Sequence, residues 1–464
     1  MVVFCVACAP APGLENVLPV AVELTDLNPA PDIVEVRLAA SPSKTEYLPG
    51  KQANVWAFRD ASVAGSRGTV PGPTLRAKQG DTVIVHFTNE LAEPTTIHWH
   101  GLRLPNAADG STSSQSKVEA GASYDYVFTV RDVGSFWYHP HVRGDTQVER
   151  GLYAPFIVEG GTAIDVAADR YLVLDDVKLS ADGQLSTETD NLDVMLGRQG
   201  NVLLVNGRRL PSIEVASGSR ERWRFVNSAN GRYFNVSLPG TRMLVIGWDG
   251  GLLAEPYEVD TLLVAPGERY EVLLTFDGKP GTRLQLQNSH YDRGHEVPDP
   301  GVKPLLNVSV TASRSAPPGP LPVVWRDLPV LAVTTASTPL RKFVLKETET
   351  SSGVVFSIND QVWPFNTPVM VKQGDVEIWE VRNEAEMDHP FHLHGMFFEV
   401  LEVNGVTQSR RGWKDTANVP MAKGTTAGTM RFAVRYEPQG MWMFHCHILE
   451  HAERGMMGDL MVMP

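Results

Sequence analysis

The chain has 464 residues, of which 42% are hydrophobic and 20% charged, with 40 glycines and 33 prolines. That length exceeds one ordinary domain and fits about three units of ~150 residues, and the turn-rich composition describes a globular chain rather than a disordered one. A net charge of -13 repels nucleic acid and anionic lipid at long range, and no stretch approaches the ~20 apolar residues of a membrane-spanning helix, so small-molecule partners are expected.

The first 13 residues read MVVFCVACAPAPG, an apolar run too short and uncharged for a complete secretory signal. They are similar to the last part of a bacterial lipoprotein signal, in which Cys8 would carry the lipid; a plain tail is the alternative. Three cysteines cannot build a disulfide framework, and Cys446 stands far from Cys5 and Cys8. It needs its own explanation.

Three segments align without gaps: GDTVIVHFTN from Gly80, GSRERWRFVN from Gly218 and GDVEIWEVRN from Gly374. Each reads as a turn feeding a half-buried strand that ends at a second turn. The unit recurs after 138 and then 156 residues, which marks homologous β-domains rather than a short solenoid repeat. The runs at 158–164 and 313–323 read as linkers, giving an all-β chain with domains at 20–160, 161–315 and 316–464. Polar loops are expected at 176–200 and 292–304, near a substrate entrance. Helix is expected only just after His447.

Nine residues after the first and third repeats stand His98 and His392, whereas the second copy has Val236 there. GSFWYHPH from Gly134 likewise matches GMWMFHCH from Gly440, with no counterpart in the middle unit. The outer domains are therefore expected to carry the chemistry, with domain 2 as a spacer. Ten of the 13 histidines fall in four clusters: HWH at 98–100, HPH at 139–141, HPFHLH at 389–394 and HCHILEH at 445–451.

On a strand, residues two apart share a side, so each pair offers two imidazoles to one site. A lone pair of this kind is weak evidence, because it also fits a solvated face; four matched pairs are not. Eight imidazoles exceed the four ligands of a zinc site, and imidazole without carboxylate suits copper, with three ions fitting the count. Cys446, between His445 and His447, points to the opposite face. There it can meet His389, His451 and Met456, a set expected for a blue electron-transfer copper. A buried inert thiol is the bland alternative.

The four clusters resemble the copper-binding motifs of the multicopper oxidases, and HWHG, WYHPH, HPFHLHG and HCHILEH followed by Met456-Met457 resemble especially those of bacterial laccases. The resemblance implies three cupredoxin-like Greek-key β-sandwich domains and four copper ions. It makes His389, Cys446, His451 and Met456 the type 1 ligands, with Met457 the alternative thioether. His98 and His392 would bind type 2 copper, and His100, His139, His141, His394, His445 and His447 the type 3 pair.

The activity implied is laccase-type: one-electron oxidation of phenols or aromatic amines at the type 1 copper, coupled to reduction of dioxygen to water. Electrons would enter through an exposed edge of His451. The family habit also implies export to the periplasm or beyond, and a monomer is the simplest state. Asp109 occupies the place of an acidic proton donor, a surface turn residue being the alternative. Relatives carry Glu where this chain has Ala452, so either Glu450 or Glu453 substitutes or turnover is reduced and its pH optimum shifted. The rival readings are a cuprous-ion oxidase, which would carry a methionine-rich segment absent from 292–321, and a non-catalytic cupredoxin protein.

Overall fold

The computed structural model describes residues 16–464 apart from 187, 296–299, 313–316, 329–330, 332, 335–336 and 352. Cys5, Cys8 and the lipid-anchor reading lie outside the described residues, as does part of the 313–323 linker.

The described strands form six sheets, two in each third of the chain: four and four strands, then six and five, then six and five. The repeated segments explain this recurrence. Each becomes an inner strand, Thr82–Asn89, Ser219–Asn227 or Val376–Asn383. Each runs parallel to the first long strand of its unit, respectively Ile33–Leu48, Ala168–Val177 and Leu340–Thr350. On its other side each pairs antiparallel with a later strand, Ser123–Thr129, Arg269–Phe276 or Gly428–Arg435. One topology is thus repeated three times.

The conserved spacing from Gly to Asn has a physical reason at both ends. Gly80, Gly218 and Gly374 have φ of +99, +75 and +89°, a left-handed turn that a side chain would strain. The closing asparagines are buried and make the same hydrogen bonds each time. The Asn383 amide donates to the carbonyls of Met387 and Pro420 and accepts from the Ala385 N–H. Asn89 and Asn227 repeat the pattern on Glu93, Val118 and Leu91, and on Arg232, Val264 and Ala229. In the outer units the segment so anchored leads directly into a histidine cluster.

In the smaller sheets the histidine strands pair in matched register. His98 lies opposite His139, and His392 opposite His445. The middle unit's strand Phe234–Ser237 carries buried Val236 at the matching place. Packing then brings the outer units together: one continuous apolar cluster runs from Val36, Trp99 and Phe156 to Trp379, Phe391, Cys446 and Val462. Domain 2 has a separate core around Trp223 and Phe225. Burial of this kind contributes roughly 25 cal/mol per Å² of apolar area, so the outer units are held by shared surface rather than by the linkers. Among the described residues helix is confined to short turns, one of them Leu449–Glu453 just after His447, where it was expected.

Candidate metal centres

Two groups of ligand-type side chains lie on opposite faces of the strand Gly440–Cys446. On one face the imidazoles of the paired histidine strands converge. His98, His100 and His139 bring ligand atoms within 4.8 Å of one another, as do His98, His392 and His394, and His141, His394 and His445. Rings from the two outer domains stack in pairs, His98 on His394 and His100 on His392, each with centroids 3.9 Å apart.

Hydrogen bonds on the outer side of these rings fix which nitrogen faces inward. Nδ1–H of His98, His139, His392 and His445 donates to a backbone carbonyl, of Asp109, Pro140, Asp415 and Cys446 respectively. His394 Nδ1–H donates to the Asp109 carboxylate at 3.1 Å. In each the Nε2 lone pair is left pointing into the group. His394 Nε2 and His445 Nε2 face each other at 3.0 Å, with His141 Nε2 3.3 Å from the latter.

Two lone pairs at that distance repel unless a cation lies between them, and the buried Nε2 atoms of His98, His139 and His392 have no partner at all. His100 is turned the other way: Nε2–H donates to Asp415 Oδ1 at 3.2 Å and Nδ1 is free. Burial pushes the basicity of His100, His139, His394, His445 and His447 well below the usual histidine range, and that of His141 to about 3. They are neutral, as metal ligands must be.

Across the strand, Cys446 Sγ lies 3.4 Å from His389 Nδ1 and 4.0 Å from His451 Nδ1, and the two nitrogens are 3.3 Å apart. All three side chains are buried. Burial pushes the Cys446 thiol up, so the thiolate needs a bound cation to form. Cys446 N–H donates to the Met456 carbonyl at 3.1 Å, and Met456 belongs to the same apolar cluster as Cys446. Met457 sits in another, with Met443, Ala452 and Trp363.

His451 departs from expectation. It is fully buried rather than exposed at an edge, because its Nε2–H donates to the carbonyl of Met195 at 3.1 Å. Met195 lies in the helix Asn191–Leu196, within the polar loop of domain 2. That loop packs over the ring and takes it out of solvent.

Domain 2 also reaches the histidine group, which its lack of any paired-histidine cluster concealed. The buried Arg269 guanidinium donates two hydrogen bonds to Asp415, each 2.6 Å. Asp415 in turn accepts from His100, and Thr416 links it to His392. Gly267 lies so close to His447 that a Cβ there would meet the ring at 2.8 Å. Nothing near Arg269 in sequence announces this role. Gly101 is the one local trace, since a Cβ on it would strike the guanidinium at 2.2 Å.

Asp109 is buried against His394 and is not a surface turn residue. Glu450 and Glu453 lie elsewhere: Glu450 accepts from Asn230, and Glu453 from the Gly144 N–H. Burial raises both carboxyls to about 7. Ala452 packs on Met443, Met457 and Trp363.

Three family models, each described as multicopper oxidase, match residues 51–162, 174–293 and 334–464. A metallo-oxidase structure from Campylobacter jejuni superposes with TM-score 0.84 at 28% identity, covering 96% of this chain and 95% of that one. A laccase structure from Pediococcus acidilactici gives 0.83 at 29%, covering 98% and 95%. The cell division protein FtsP of Escherichia coli is 30% identical over 98% of this chain and 94% of its own. The chain belongs to the multicopper oxidase family and has its three cupredoxin-like domains. Copper is the metal that membership implies, and the inward lone pairs and buried thiol fit it.

Proposed function

We propose that the chain is a laccase-type oxidase holding four copper ions per chain. His389, Cys446, His451 and Met456 form its type 1 site, His98 and His392 the type 2 site, and His100, His139, His141, His394, His445 and His447 the type 3 pair. The observation that carries this reading is the two-faced strand: one sulfur on one side, with His445 and His447 on the other, one peptide unit away. Copper so held supplies one-electron oxidation of phenols or aromatic amines and four-electron reduction of dioxygen to water.

The protein's own groups orient and insulate. Carbonyls and the Asp109 and Asp415 carboxylates set the ring tautomers, which raises the basicity of the inward nitrogens. Asp109, whose carboxylate accepts the His394 Nδ1–H, is the acidic group through which protons would be relayed to the cluster. Export is part of the same reading; among the described residues no helix is long and apolar enough to cross a membrane.

A second reading, oxidation of cuprous ion, is favoured by the likeness to a metallo-oxidase. A non-catalytic role as a copper-binding or structural cupredoxin protein is opposed by the retention of all twelve ligand positions. Copper-loaded protein is expected to show an intense thiolate-to-metal band in the red that Cys446→Ser abolishes, and faster oxygen uptake with a phenol than with cuprous ion. The reverse rate order selects the second reading, and a colourless loaded protein selects the third.

A further inference from the structure

The outer nitrogen of His389 has a neighbour that the ligand motifs do not include. His389 Nε2 is buried, and the group facing it is Glu347 Oε1 at 3.4 Å. The two buried atoms face each other within ion-pair range, and neither has a hydrogen-bond partner. Glu347 comes from the strand Leu340–Thr350, about forty residues earlier in the chain, and its side chain is 9% exposed. Its other oxygen accepts from His295 Nε2–H at 2.7 Å. His295, in the loop near 292–304, is partly exposed and has φ of +51°. The order from solvent inward is therefore His295, Glu347, His389, Cys446.

A carboxylate in that place does two things. It accepts the remaining ring N–H of a ligand, fixing the tautomer and the ring plane and making the inward nitrogen a better donor. It also brings a negative charge into a buried region, where Coulomb interactions are weakly screened. The ring N–H of His295, 2.7 Å from the other oxygen, is a donor that favours the ionised carboxylate. Negative charge beside a metal favours the oxidised state.

We propose that Glu347 is a positioning residue of the cysteine centre, orienting His389 through Nε2–H and lowering the centre's reduction potential below that set by its four ligands. His295 anchors Glu347 and partly offsets its charge. The proposal rests on the type 1 reading above and assigns to a residue outside the four motifs a role in choosing which donors can be oxidised.

The test is an anaerobic redox titration of the red absorption band in the copper-loaded full-length protein at about pH 6, where His295, whose basicity Glu347 raises, is cationic. Glu347→Gln keeps volume and an acceptor while removing the charge; its midpoint is expected to move up with the band retained. His295→Gln removes the offsetting cation, and its midpoint is expected to move down. An unchanged midpoint in Glu347→Gln overturns the proposal. Should that variant take up no copper, His295→Gln decides alone, an unchanged or raised midpoint overturning it. A wild-type protein that binds copper without the band overturns the type 1 reading instead.

Discussion

Between Arg269 and His100, the Asp415 carboxylate ties together one residue from each third of the chain. All three are buried. Removing one partner of such a pair leaves an uncompensated charge, at a cost of about 3–5 kcal/mol. Asp415→Asn is therefore expected to lower the unfolding free energy by about that amount in denaturant titration and to release copper from the histidine group, while the red band of the cysteine centre survives. The convergence of the paired histidines could be read from sequence, because strand alternation fixes which of two nearby residues share a side. Asp415, Arg269 and Glu347 could not. They reach their histidines through sheet packing across large sequence separations, and carboxylates and guanidinium groups are common enough that no spacing marks them.

The strand ending in asparagine, recurring three times, was readable as a unit but not as a device. Alternation showed a strand between two turns but not what the closing asparagine bonds to. The buried amide instead satisfies carbonyls of the following loop, and each orphaned buried acceptor costs about 1–3 kcal/mol. Asn227→Ala and Asn383→Ala are thus expected to destabilise by about 2–4 kcal/mol each. Only Asn383→Ala should also disturb the red band, because its partner Met387 lies two residues before His389. Equal spectral damage from both would mean that the amides act through global stability alone. The helix Asn191–Leu196 was hidden within a stretch that composition described only as a polar loop.

At the scale of the whole molecule, the seam between domains 1 and 2 buries Tyr47, Trp137, Tyr153, Tyr171 and Leu204 together. Asp175 stands in this seam and receives a hydrogen bond from Tyr153. Burial, reinforced by Asp176, raises its carboxyl to about 7. The folded protein thus keeps a proton that the unfolded chain gives up near the ordinary aspartate value. This contribution to stability is whole in acid and is lost as pH rises through about 7. Melting temperature is expected to fall between about pH 4 and 7 and to level off above, and Asp175→Asn, neutral throughout, should flatten that slope; an unaltered slope would show that Asp175 does not govern it.

The carbonyl of Met195 that caps His451 has a further meaning for how such a surface changes. A peptide oxygen keeps its place whatever side chain its residue bears. The outer face of that short helix, where Leu192 is 58% exposed, can be rewritten to greet new electron donors without disturbing the ring beneath it. Under the laccase-type reading proposed above, selectivity and conduction would fall to separate atoms of one small element.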